Sequence, residues 1–324
     1  MKVVVTGAAG FLGKRVCEAL LAAPGGGATQ IVAVDMAACP IGDARIDCRI
    51  GTITDETFVT SALSEEPDVV FHLAAVLSGQ AEAEFDAGMR VNVDGTRLLL
   101  EGCRRLRCPP RFIFSSTVAV YGGTLPEVVP EDAPLRPETS YGAEKAIAEI
   151  FVAEYSRRGF VDGIACRVPT VAVRPGAPNS ALSSFVSGII REPVAGIDCV
   201  CPVALDTRLW ICSPDVLTRN LLHAATMDTS TLQDNRMVNL PGLSVTPAEM
   251  LESLERVAGA AARGRVRCEP DARIARIVGS WPGAFDVRRA LRLGFVTDRD
   301  IDSIVRQFVE SSRERGDAPR PQRT

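Results

Sequence analysis

The chain has 324 residues, 46% of them hydrophobic and 23% charged, with a net charge of −4. That is enough chain for one large domain or two, each with a real core. The balance argues against a nucleic-acid binder, which would carry a Lys/Arg-clustered face, and no apolar run approaches the ~20 residues of a membrane span.

Taken in chain order, the pattern alternates. Lys2 to Thr6 is a short β-branched run and reads as a buried strand. It enters a Gly-rich turn at once, not the apolar stretch of a signal peptide, so a cytoplasmic protein is expected. Phe11 to Ala22 reads as a helix, broken by the segment 24–27, and Ile31 to Asp35 as a second buried strand. Thr57 to Leu63 is a predicted helix and Val69 to His72 a further strand. Val91 to Leu106 has helical apolar spacing and ends at Pro109-Pro110. Arg111 to Ser115 is a strand, Tyr141 to Arg157 a helix closed by Gly159, and Gly163 to Val168 a strand.

Strands alternating with helices predict an α/β protein with a doubly wound parallel sheet, a Rossmann fold. After Pro175 prolines punctuate the chain and the alternation weakens. The expected organisation is a nucleotide-binding domain over 1–175 and a smaller α/β substrate-binding region over 176–324. Met237 to Leu240 is a strand that could rejoin the main sheet, and Thr246 to Val257 and Asp300 to Glu310 are predicted helices. Ten scattered cysteines include no C-x-x-C pair, which argues for reduced thiols and against a zinc site. Only two histidines occur, and His223 reads as a helix residue without chemical duty.

Gly7-Ala8-Ala9-Gly10-Phe11-Leu12-Gly13 joins the first strand to the first helix. Glycines there let the backbone approach a pyrophosphate, and the helix start supplies N–H donors and a positive dipole end. The spacing is G-x-x-G-x-x-G, and a Gly-rich turn alone is weak evidence. Here it lies between strand and helix and is followed by Asp35 at the end of the second strand. A carboxylate there accepts from ribose hydroxyls and repels a 2′-phosphate, which selects NAD over NADP.

Tyr141 and Lys145 stand four residues apart, on one face of a helix. An ammonium beside a tyrosine stabilises the phenolate and is expected to lower its pKa, as general-base work requires. The chain has only three lysines, Lys2, Lys14 and Lys145, so a Lys inside this pattern is less easily chance. Upstream, Ser115, Ser116 and Thr117 end a strand at the sheet's carboxyl edge, where ligands of open α/β sheets bind. Thr117 is placed to hold a substrate oxygen for Tyr141. For Ser115 and Ser116 the alternative reading is a polar strand cap.

Together these pieces resemble the extended short-chain dehydrogenase/reductase family, which includes the nucleotide-sugar epimerases and dehydratases. The resemblance rests on Thr6 to Gly13, Asp35, His72-Leu73-Ala74-Ala75, Asn92 in Val91 to Thr96, Ser115-Ser116-Thr117 with Tyr121-Gly122, Tyr141 to Lys145 and Arg167-Val168-Pro169. It implies an NAD-dependent dehydrogenase with Thr117, Tyr141 and Lys145 as the catalytic set. It assigns to the cofactor Gly7, Gly10 and Gly13, the backbone donors of Phe11 and Leu12, Asp35, Leu73, Ala74, Ala75 and Asn92. Lys145 would also hold the nicotinamide ribose, and Pro169 would border its ring. The family usually has an Asp near the adenine where this chain has Thr52, which puts that contact in doubt.

The stretches Leu77 to Glu82, Arg174 to Asn179, Asp206 to Trp210 and Val238 to Thr246 resemble the D-erythronate dehydrogenase branch of that family. That branch oxidises the C2 hydroxyl of a four-carbon sugar acid. Arg208 falls where the epimerases hold a substrate phosphate, and a guanidinium there could bind a carboxylate with two hydrogen bonds. Arg174 is a second candidate, with a structural role as the alternative. Ser78 and Asn179 are candidates for the remaining hydroxyls, and Trp210 reads as packing. The rival readings are a nucleotide-diphosphate-sugar 4-epimerase or reductase, and a catalytically silent NAD sensor. The catalytic set argues against the silent sensor. A homodimer through the helices at 91–106 and 141–157 is expected by analogy alone.

Overall fold

The computed structural model describes residues 1–23, 30–177, 183–232 and 235–315. Its centre is a parallel sheet of Lys2–Thr6 (β1), Gln30–Asp35 (β2), Ile46–Ile50 (β3), Val69–His72 (β4), Arg111–Thr117 (β5) and Asp162–Val168 (β6). Met237–Asn239 adds a seventh strand beside β6, parallel to it, so the predicted return to the main sheet occurs. The order runs Met237–Asn239, β6, β5, β4, β1, β2, β3. The chain therefore reverses direction across the sheet between β1 and β4, the switch point where such sheets bind ligands.

The strands read as continuous apolar runs because both faces are covered. Alternate residues divide between two cores. Val3, Val5, Ile31, Phe71 and Ile113 pack on one face against Val16, Cys17 and Leu20 of Phe11–Ala22 (α1) and Leu217 and Leu221 of the helix Pro214–Thr226. Val4, Val32, Val70, Phe112 and Phe114 face the other side. There Val59 of Glu56–Ala62 (α2), Leu99 and Leu100 of Thr96–Arg104 (α5) and Val152 of Ser140–Arg157 (α6) cover them. Between β4 and α5 lie two short helices, Ser78–Ala83 (α3) and Phe85–Gly88 (α4).

The single helix expected over 91–106 is divided. Met89–Gly95 forms a wide π-helical turn before α5 begins. The reason is Asn92: its amide is turned inward to bond the backbone of Val76. Such insertions in helices recur at functional positions.

Residues after Val168 build a third core around Ile189, Ile190, Leu209, Met250, Leu254 and Val305. Thr170–Val171, Leu209–Cys212 and Leu243–Val245 form a small sheet, and Cys199–Cys201 pairs with Val266–Cys268. The predicted helix at 246–257 is Pro247–Ala258, started by a capping box between Thr246 and Glu249. The one at 300–310 runs over Ile301–Arg315. His223 bonds the Leu293 carbonyl at 2.7 Å, a packing duty as expected. The strand Ile46–Ile50 and the helix Ser184–Val194 were not apparent in the pattern, and of Pro214–Thr226 only the part around His223 was read as helical. Among the described residues no helix is long and apolar enough to cross a membrane.

Candidate active site

The carboxyl ends of β1, β2, β4, β5 and β6 open into a cleft of about 1100 Å³. Gly7, Gly10, Phe11, Leu12 and Gly13 form its floor, with Asp35 at one end and Leu73, Ala74 and Ala75 along one wall. Thr117, Tyr141, Lys145 and Pro169 meet at the other end, with Ser78 and Arg174 beside them. Most of the residues expected to bind cofactor and substrate thus share one cavity.

The turn after β1 explains its glycines. Gly7 has φ +73°, and a Cβ on it would stand 2.8 Å from the Ala74 amide nitrogen. A Cβ on Gly13 would stand 2.1 Å from the Gly7 carbonyl oxygen. No side chain caps the start of α1, so the dipole end and the first N–H groups face the cleft. Asp35 accepts from the Ala9 amide at 3.0 Å, which anchors its carboxylate at the cleft's edge. A close-approach turn of this kind could hold a pyrophosphate, and a carboxylate so placed could hold ribose hydroxyls. Thr52 also lines the cleft, and its hydroxyl is engaged with Thr54 at 2.8 Å.

Behind this wall sits a closed hydrogen-bond chain. The Thr96 hydroxyl donates to the Asn92 carbonyl at 2.7 Å, so it can only accept from His72 Nε2, at 2.8 Å. His72 therefore carries its hydrogen on Nε2, and Nδ1 accepts from Thr6 Oγ1 at 2.8 Å. Thr6 Oγ1 in turn accepts from the amides of Leu73 and Ala74, each at 3.2 Å. Burial first, and the Lys145 charge second, push His72 down to about 3. The ring stays neutral and fixes the β4 exit that forms the cofactor wall.

At the other end, Thr139 caps α6 by accepting from the Gly142 amide at 3.1 Å. This delivers Tyr141 and Lys145 to the ends of β5 and β6. Lys145 Nζ donates to the Ser115 carbonyl at 2.9 Å and lies 5.7 Å from the centre of the Tyr141 ring. The expected depression of Tyr141 is not what this arrangement gives. Burial, then the neighbouring Glu144, push the phenol up to about 12. Burial also lowers Lys145 to about 8, against the opposing pull of Glu144 and Glu149. Desolvation outweighs the ammonium because Lys145 is turned to the strand carbonyl.

Both serines border the cleft, but the Ser116 side chain is buried and its hydroxyl donates to Glu149 at 2.6 Å. Glu149 is answered by Arg167, whose Nη2 lies 2.7 Å away. Thr117 Oγ1 accepts from the Ala119 amide at 3.1 Å, which leaves its own hydrogen for a ligand.

Two expected residues stand outside the cleft lining. Asn92 does not line the cleft. It is 1% exposed, its Oδ1 accepts from Val76 N and its Nδ2 donates to Val76 O and Glu144, so it braces the wall from behind. Arg208 does not line the cleft; its side chain is 59% exposed and paired at 3.6 Å with Glu249, which is held as a helix cap. Asn179 lies outside the described residues. Trp210 packs on Phe285, as expected, and also lines the cleft. The sequence reading missed Arg90 and Trp281, which line it, and Glu144, buried between Tyr141 and Lys145. Helical spacing was the available signal for Glu144, which shares a face with Tyr141.

The family model of the NAD dependent epimerase/dehydratase family matches residues 3–234. A D-erythronate dehydrogenase of Cupriavidus necator is 48% identical over 321 residues, 96% of this chain and 99% of the relative. One of Haemophilus influenzae is 42% identical over 312 residues, with the same shares. The crystal structure of a nucleoside-diphosphate-sugar epimerase from Agrobacterium tumefaciens superposes with a TM-score of 0.92 at 37% identity, covering 97% of this chain and 95% of that one. The chain belongs to the NAD dependent epimerase/dehydratase family. Within it, the chain is an NAD-dependent dehydrogenase of the extended short-chain dehydrogenase/reductase type.

Proposed function

We propose that the protein oxidises the C2 hydroxyl of a small sugar acid, D-erythronate, to the 2-oxo acid. The observation that carries this reading is the likeness to two D-erythronate dehydrogenases over nearly the whole chain. The cleft chemistry supports it. Arg174 lines the cleft near Pro169, where burial and neighbouring Arg191 both work against its charge. A guanidinium lining the cleft can hold a carboxylate through two hydrogen bonds. Arg174 therefore takes the carboxylate, the role first weighed for Arg208. Ser78 is placed for a distal hydroxyl.

Gly7, Gly10, Gly13 and the amides of Phe11 and Leu12 hold the NAD pyrophosphate. Asp35 holds the adenosine ribose, and Lys145 holds the nicotinamide ribose. NAD, when bound, supplies the acceptor for the hydride that leaves C2. Thr117 donates to the reacting oxygen and orients it. Tyr141 takes the hydroxyl proton, which becomes easier as pH rises because the phenol is held at about 12. Lys145 keeps a positive charge beside the phenolate until about pH 8.

The Agrobacterium likeness favours a second reading, a nucleotide-sugar epimerase. NADH formation from NAD with D-erythronate, run beside a coupled assay with UDP-sugars, decides between them. Turnover of D-erythronate and silence with UDP-sugars is expected. The opposite pattern replaces the proposal with the epimerase reading.

A further inference from the structure

Of the buried carboxylates at the catalytic helix, Glu149 is matched by Arg167 and Ser116, while Glu144 is not matched in that way. Glu144 is 1% exposed and lies between Tyr141 and Lys145 in sequence. Its Oε2 accepts from Asn92 Nδ2 at 2.6 Å, and its Oε1 is buried without a hydrogen-bond partner. Among the described residues it forms no ion pair within 4.0 Å, because Lys145 Nζ is spent on the Ser115 carbonyl. Oε1 lies against Gly88, where a Cβ would stand 2.2 Å from it in its present position. A buried, half-satisfied carboxylate is costly, and such groups gather where charge is put to use.

The Asn92 amide is fixed in orientation. Its Oδ1 must face the Val76 amide and its Nδ2 the Val76 carbonyl and Glu144. Glu144 Oε2 is thus always an acceptor, and any proton it takes sits on Oε1.

We propose that Glu144 is a positioning residue whose buried carboxylate, held through Asn92, sets the charge balance around Tyr141 and Lys145. The inference rests on the reading of Tyr141 and Lys145 given above. The carboxylate opposes a phenolate on Tyr141 and favours the ammonium on Lys145, so it keeps both protonated to higher pH. Lys145 from its own helix and Glu82 from α3 act on Glu144 in opposite senses, and its carboxyl stands above the usual range chiefly through burial. Glu82 itself is held by the Ser140 amide at 2.9 Å. Through Asn92 the same carboxylate braces Val76, next to Leu77 and Ser78 of the substrate wall.

Two variants separate charge from bracing. Glu144→Gln keeps an oxygen for Asn92 and loses the charge. Glu144→Asp keeps the charge and shortens the reach. In ultraviolet difference titration of the phenolates, with Tyr141→Phe identifying the Tyr141 signal, E144Q should ionise Tyr141 at least about half a pH unit lower. E144D should stay closer to the parent. The acid limb of kcat/KM for oxidation should move down with E144Q by the same amount. A Tyr141 titration that E144Q leaves in place or moves upward overturns the proposal. The titration needs no substrate, so failure to turn over D-erythronate tests the reading above and not this one. Should E144Q fail to fold, Glu144→Met removes the charge at similar volume and should likewise lower the Tyr141 titration; no movement there overturns the proposal equally.

Discussion

At the carboxyl ends of β1, β2 and β4, the cleft is lined by the glycine turn and by the exits of neighbouring strands, where Gly7 meets the backbone of Leu73 and Ala74. Gly7 to Gly13 supply the turn, and Thr6 and His72 fix the exits of neighbouring strands. Opposite, the wall is made of side chains from segments far apart: Thr117, Tyr141, Pro169, Arg174, Trp210 and Trp281. On the reading proposed above, the first half would hold the cofactor largely through its backbone and Asp35, and the second would recognise the substrate through side chains. A change on the substrate side should therefore alter turnover and substrate affinity while leaving the cofactor untouched.

The strongest test of that division is Tyr141→Phe. It removes the proton acceptor and little else, since the ring and its packing stay. General acid–base groups contribute about 10²–10⁴ in rate. Turnover should fall by roughly that factor, while NAD affinity by titration calorimetry stays within a few-fold. Near-normal turnover would sink the assignment, and loss of NAD affinity would show that the halves are not separable.

Next in size is Arg174→Met. A charge-assisted hydrogen bond to a buried partner contributes about 1.5–3 kcal/mol, which is roughly 10–100-fold in affinity. KM for the sugar acid should rise by that factor with KM for NAD steady. An equal rise in both would place Arg174 in the scaffold, through the Arg191 contact to its carbonyl.

The two halves also differ in how much the sequence disclosed. Strand alternation, the glycine turn and Asp35 are local patterns, and the structure reproduces them with boundaries within about two residues. Tyr141 and Lys145 were legible because helical spacing puts them on one face. Arg208 was expected in the cleft and does not line it, because sequence position does not say where a long side chain turns; its partner Glu249 is settled by a capping box 41 residues on. Asn92 was assigned to the cofactor because the motif marks the position and not its direction. The helix from 91 was expected to be regular, and the π-turn that directs Asn92 inward has no apolar period to betray it. The depressed tyrosine was expected from one neighbour, whereas burial by the whole fold decided the direction.

A smaller effect belongs to the cofactor half alone. His72 is held near 3, below the ~6.5 of an exposed imidazole. A depressed histidine contributes stability that is complete above about 6.5 and is lost as pH falls from there toward 3. The urea midpoint should therefore drop across that window, and it should drop less in His72→Gln, whose amide can donate to Thr96. Parallel curves for the two proteins would mean that His72 titrates freely.

The smallest effect expected is at Arg208. Its guanidinium is exposed and its pair with Glu249 spans 3.6 Å. Exposed pairs of this kind contribute about 0–1 kcal/mol. Glu249 keeps its place without Arg208, since the Thr246 amide donates to it at 2.7 Å. Arg208→Met should thus leave both KM values and the melting temperature nearly unchanged, measured beside Arg174→Met. If the sugar-acid KM rises with Arg208→Met as steeply as with Arg174→Met, then Arg208 swings into the cleft when substrate binds. The substrate wall would then be a surface assembled by its ligand, in contrast to the backbone cradle across from it.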